Sequence, residues 1–163
     1  MKAKKLTRLA LLTTVALIIF TVEAQIPVPV PIPGVKLGLA NIITVYAAFT
    51  MSPADAVMIL LCRIILGSLF TGNMMALLYS LGGGALCIIV TLLLAGILSR
   101  SQIWIASVVG AIFHNIGQII VAALVMKTLA VFVYLPALLI SGVITGAFTG
   151  FAAQALAQRL DKK

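Results

Sequence analysis

A chain of 163 residues that is 63% hydrophobic and only 9% charged cannot cover a water-facing surface, for which soluble domains use about 25% charged residues. An ordinary soluble enzyme is thereby excluded, and a polytopic, all-α membrane protein is predicted. The net charge of +8 does not imply nucleic acid, because the basic residues sit at helix ends and in short loops, where membrane topology accounts for them.

About 20 apolar residues cross a hydrocarbon core of about 30 Å. Cutting the apolar runs at prolines, glycine clusters and charges predicts six transmembrane helices, at residues 6–24, 37–51, 54–71, 74–98, 102–126 and 130–158. The second is short, and residues 1–163 read as a single six-helix integral membrane domain. Lys2, Lys4, Lys5 and Arg8 precede the first span, Arg100 follows the fourth, and Arg159, Lys162 and Lys163 follow the sixth. An even number of crossings puts all of them on one side, and the positive-inside rule makes that side, with both termini, cytoplasmic. Lys36 and Lys127 then fall outside. The first span also resembles a secretory signal with a small-residue cleavage site near Ala24. Its removal would leave the basic C-terminus on the wrong side, so a retained helix is the expectation.

After the first span comes an unusual segment, in which Pro27, Pro29, Pro31 and Pro33 alternate with Val28, Val30 and Ile32. Proline lacks an N–H and pushes its predecessor out of the helical region. Residues 26–33 are therefore expected to be extended, reaching roughly 25 Å in polyproline II. A stiff apolar segment of that length suits a lid across the mouth of a cavity, although an ordinary interfacial loop would read the same way.

Polar side chains inside a membrane are costly and therefore point to function. Arg63 lies well inside the third span, roughly 12 Å of rise away from Asp55 on the same helix. Three readings stay open for it: a pair with Glu23 that locks two helices, contact with an anionic or carbonyl-bearing ligand, or contact with backbone carbonyls. The fifth span carries His114, Asn115 and Gln118, whose spacing puts them on neighbouring faces over two turns. Such residues either join helices by hydrogen bonds or contact a ligand. Helix counting sends Glu23, Lys36, Asn41, Asn73 and Gln118 to the outer half or outer rim, below the proline segment.

Small residues mark a second feature. Gly142, Gly146 and Gly150 form a doubled G-x-x-x-G in the sixth span, best suited to internal packing, while Ala10 and Thr14 form a weaker small-residue pair on the first, open to a partner. Gly82, Gly83 and Gly84 lack the lysine of a phosphate loop and read as a kink or close-packing site in the fourth span. Cys62 and Cys87 lie in apolar runs and, with the lone histidine and few acids, offer no metal cluster or disulfide framework. Asp55 and Asp161 stand far apart, so aspartate-rich magnesium diphosphate sites are not expected, nor are cofactors, a catalytic triad or autonomous catalysis.

The segments V-E-A-Q-I-P, P-G-V-K-L-G-L-A-N, L-C-R-I-I-L-G-S-L-F-T-G-N and F-H-N-I-G-Q resemble those of the Gx transporter family, which is also described as heptaprenyl diphosphate synthase component I. Size and six-helix layout are similar to the substrate-binding S-components of energy-coupling-factor transporters. The resemblance implies an S-component-like bundle in the cell membrane, with residues 26–36 as a cap over an outward-facing site. Around that site it implies Glu23, Lys36, Asn41, Arg63, Asn73, His114, Asn115 and Gln118. It also implies that Ala10 and Thr14 dock on a transmembrane coupling subunit with ATPases, although Thr14 stands where the family's small-residue motif has alanine. The small-molecule substrate is captured outside in this reading. The alternative implied by the synthase description is a non-catalytic membrane partner of a prenyl-diphosphate synthase, or of a quinone- or flavin-linked redox system.

Overall fold

The computed structural model describes residues 3–26 and 38–160. Six α-helices run through them: α1 (Ala3–Glu23), α2 (Asn41–Thr50), α3 (Pro53–Thr71), α4 (Met74–Ala95), α5 (Ile103–Met126) and α6 (Leu135–Leu160), with short 3-10 turns at Arg100–Gln102 and Leu129–Tyr134. No strand occurs among the described residues. Five of these helical segments are long and apolar enough to cross a bilayer, so the chain is an all-α, multi-pass membrane protein. The exception is α2, with 10 residues. Its length of about 15 Å is half a hydrocarbon core.

Local chemistry sets the helix ends. Ser52 caps α3 by accepting the Asp55 N–H at 3.3 Å, and Pro53 occupies the first turn, where its missing N–H costs nothing. Gly72, at φ +63°, ends α3 in the left-handed conformation. Asn73 begins α4 by accepting the Ala76 N–H at 2.9 Å. No side-chain hydrogen bond from Ala40 caps α2, a gap that a distant residue fills.

Contacts between helices bring the basic residues to one end of the bundle. Lys5 of α1 pairs with Asp55 of α3 at 2.8 Å, and Arg8 donates to the Tyr46 hydroxyl of α2 at 2.9 Å. Tyr46 in turn shares a buried apolar cluster with Ile103 of α5 and Ala153 and Ala157 of α6. The starts of α1, α3 and α5 and the ends of α2 and α6 therefore lie together. Arg100 and Arg159 belong to this same end, and Lys127, after the last residue of α5, lies at the other. This is the clustering expected from the charge pattern.

The α4, α5 and α6 helices pack through glycine. A Cβ at Gly146 would come within 2.8 Å of the Val108 Cα, and one at Gly150 within 2.6 Å of the Trp104 Cα. The doubled G-x-x-x-G thus faces α5 and lets the two backbones approach, the internal use expected of it. Ser107 and Thr149 exchange a hydrogen bond at 2.9 Å along that seam. On the opposite side of α5, a Cβ at Gly117 would lie 2.5 Å from the Gly82 carbonyl oxygen. Gly82–Gly84 is accordingly a close-packing surface of α4.

Candidate functional site

The expensive polar groups converge in the half of the bundle away from the Lys5–Asp55 end. Glu23, the last residue of α1, is 3% exposed. Its carboxylate accepts the backbone N–H groups of Gly38 and of Ala40, the latter at 3.1 Å. These N–H groups belong to the turn that opens α2, so Glu23 supplies the N-terminal cap that the local sequence lacks. A carboxylate there also meets the positive end of the helix dipole. Gly38 makes this possible by taking φ +85°, a conformation that residues with a Cβ rarely adopt.

Arg63, one of the other buried groups at 2% exposure, does not form an ion pair with Glu23. Its Nη2 donates to Asn41 Oδ1 at 3.1 Å, and its Cζ lies 5.9 Å from the centroid of the Phe20 ring, a cation–π geometry. Asn41 stands between the two charges, since its amide nitrogen lies against Gly38. Of the three readings open for Arg63, the helix-locking pair is thus replaced by a relay through Asn41 and the α2 turn. The Arg63 Nε has no hydrogen-bond partner among the described residues.

The fifth helix brings His114 against the same turn. A Cβ at Gly38 would lie 3.4 Å from His114 Cδ2. On its other side the imidazole packs on α4, where a Cβ at Gly83 would meet His114 Cε1 at 3.0 Å and Gln118 Cγ at 2.9 Å. Gly83 therefore fixes where both side chains lie. His114 Nδ1 and both carboxamide atoms of Gln118 lack partners among the described residues, although Gln118 is wholly buried. Asn115 turns to α6 instead, donating from Nδ2 to the Leu138 carbonyl at 2.5 Å, with its Oδ1 unpartnered among the described residues.

Glu23, Asn41, Arg63, His114 and Gln118 are thus drawn together from α1, α2, α3 and α5, with Asn115 beside them. Asn73 is not drawn in with them: it is exposed and occupied in capping α4. Replacing it with alanine is expected to cost about 1 kcal/mol of stability while leaving ligand binding unchanged, as paired melting and binding measurements would show. Lys36 and the lid residues Pro27, Pro29, Pro31 and Pro33 lie outside the described residues.

Sequence reasoning missed Phe20, Gly38 and Thr44, whose buried hydroxyl also lacks a partner among the described residues, and it took Gly83 for packing without its contacts to His114 and Gln118. A signal existed for one of them. Gly38 precedes a helix with no side chain able to cap it, which calls for a donor-accepting group from elsewhere.

The pair Ala10 and Thr14 is exposed on α1. Both line a groove of about 330 Å³ between α1 and α3, together with Leu6, Met58, Cys62 and Leu66. Thr14 returns its hydroxyl to the Ala10 carbonyl at 2.9 Å, so the groove wall presents no free polar group at this pair. No group of three or more metal-ligating side chains occurs among the described residues.

Residues 12–156 match the family model described as Heptaprenyl diphosphate synthase component I. No curated protein and no solved structure matches the chain.

Proposed function

The chain belongs to the heptaprenyl diphosphate synthase component I family, and on that premise we propose that it is a ligand-binding membrane subunit that works with separate partner subunits. In this reading it is the specificity subunit of an ATP-driven small-molecule importer in the cell membrane. It captures ligand from the outer side and performs no catalysis itself. The observation that carries the proposal is the buried meeting of Arg63, Asn41, His114 and Gln118, with atoms on three of them lacking hydrogen-bond partners among the described residues. A purely structural polar core would be expected to satisfy its own groups, because a buried polar atom without a partner costs about 1 to 3 kcal/mol.

The α2 turn, held by Glu23 and touching His114, ties the chain that follows the proline segment to the site. Residues 26–36 would be the cap in this mechanism. The basic end of the bundle would face the cytoplasm, and the α1–α3 groove with Ala10 and Thr14 would dock on a coupling subunit whose ATPases drive release. Equilibrium binding to the purified chain tests the proposal. The Arg63→Ala, His114→Ala, Gln118→Ala triple variant should lose at least about 100-fold in affinity for any ligand carried by the wild type, since each buried hydrogen bond to a charged group contributes about 1.5 to 3 kcal/mol. Unchanged affinity would sink the site.

A second reading is favoured by the family description itself, in which "component I" names one part of a synthase. In it the chain is a non-catalytic membrane partner of a prenyl-diphosphate synthase, or of a quinone- or flavin-linked redox system. Co-purification separates the two readings: retention of a synthase subunit without ATPases supports the partner role.

A further inference from the structure

Resting on the ligand-binding reading above, we infer that the ligand presents a cis-amide edge to Gln118, that is, a ring N–H directly beside a ring C=O, as in a lactam, a cyclic urea or a cyclic imide. Gln118 is completely buried, and neither its Oε1 nor its Nε2 has a hydrogen-bond partner among the described residues. A carboxamide offers one acceptor and two donors in one plane. Whichever way the amide is turned, its full satisfaction requires both an acceptor and a donor, and a ligand edge that carries the two side by side supplies them together.

That requirement discriminates between chemical classes. A carboxylate or a diphosphate accepts from Nε2 but leaves Oε1 without a donor. A quinone does the same, an ammonium group does the reverse, and an isoprenoid chain satisfies neither. An ordinary peptide group is trans and points its N–H and C=O in opposite directions. A cis-amide in a ring presents both side by side, and pairs with a carboxamide through two antiparallel hydrogen bonds. Gln and Asn read an adenine edge in the same two-point manner.

The surroundings agree with a ring that carries a second oxygen. Packing against Gly83 holds Gln118 and His114 on one side of the site, and the His114 Nδ1 and Arg63 Nε also lack partners among the described residues. Glu23 spends its carboxylate on the α2 turn, and Arg63, bonded to Asn41 through Nη2, keeps its Nε–H without a partner among the described residues. A carbonyl or ionised imide oxygen fits that position, and a cationic ligand does not.

The test uses the purified full chain and three cis-amide probes of increasing size: 2-imidazolidinone, 2-piperidone and lumazine. The matched control is 1,3-dimethyllumazine, which keeps the carbonyls and replaces each ring N–H by N–CH3. A fourth probe, 2-methyl-1,4-naphthoquinone, has carbonyls alone. Calorimetry should show at least one cis-amide probe binding, with lumazine at least about a hundredfold tighter than its dimethyl analogue, because a site built around a hydrogen bond strongly rejects the analogue that lacks it. Gln118→Met should weaken the cis-amide probe at least about tenfold while the protein elutes and melts as a folded species. Binding of none of the three, equal binding of the two lumazines, or binding indifferent to Gln118→Met would each overturn the inference. If the quinone alone binds, and Arg63→Ala abolishes it, the amide edge is wrong and the ligand-binding reading stands. If no probe binds and the extracted protein carries no non-lipid mass, both fail, and ordered water is what fills the site.

Discussion

Gly117→Ala is expected to cost about 3 kcal/mol or more, the upper range for overpacking a dense interior, and to abolish ligand binding with it. The added Cβ would sit 2.5 Å from the Gly82 carbonyl oxygen and 2.8 Å from both the Gly82 carbonyl carbon and the Gly83 Cα. All three are backbone atoms, so no rotamer change relieves the clash and α4 must move away from α5. Gly83 would then lose its contacts with His114 and Gln118, which are held in place by that packing. Gly96→Ala is the control. Gly96 has helical dihedrals, and a Cβ there would meet its nearest neighbour at 3.4 Å, so its stability should stay within about 0.5 kcal/mol of wild type. Reversible denaturation in detergent, with binding followed in parallel, checks both. A Gly117→Ala protein as stable as the Gly96→Ala protein would mean that α4 and α5 are not in backbone contact.

How much of this was legible in the sequence depends on the range of the interaction that decides each feature. Helices of 19 residues or more announce themselves because the bilayer requires a long apolar run, and the observed spans begin and end within a few residues of those expected. The stripe Gly142, Gly146 and Gly150 was legible for a similar reason, since its spacing alone puts it on one helix face. Asn73 shows how one local signal admits two readings. Asparagine is among the best N-caps, and the Asn73 bond to Ala76 N–H is a sufficient reason for the residue to be there. A Glu23 counter-charge is one of the three readings that cost alone allows for Arg63, because both are expensive in a membrane. Their actual partners are 15 to 22 positions away in the chain, Gly38 for Glu23 and Asn41 for Arg63, and no periodicity reveals a carboxylate on one helix capping the next. For Gln118 the spacing leaves helix joining and ligand contact equally open, and only the packed structure shows that neither carboxamide atom has a partner among the described residues.

The coupling between Glu23 and Arg63 yields the other large effect, and a double-mutant cycle measures it. Glu23→Ala removes the acceptor for two backbone N–H groups at the start of α2 and leaves Arg63 a buried cation without its nearby negative charge. Each buried N–H left without an acceptor costs about 1 to 3 kcal/mol and the uncompensated cation adds to that, so a total loss of about 3 kcal/mol or more is expected. Arg63→Met is expected to cost less, about 1 to 3 kcal/mol, since it strands the Asn41 Oδ1 and gives up the guanidinium's place over Phe20 while keeping an apolar stem. In the double variant the uncompensated cation is gone, so the combined loss should fall short of the sum of the two single losses by about 1 kcal/mol or more. Strict additivity would mean that the two charges do not sense each other through Asn41 and the α2 turn. A shortfall larger than the Arg63→Met loss would have a different meaning: the guanidinium would then be a net burden on the ligand-free fold once Glu23 is absent. A group retained under that burden is one whose return comes from something it binds, which is the role the unpartnered Nε already suggests for it.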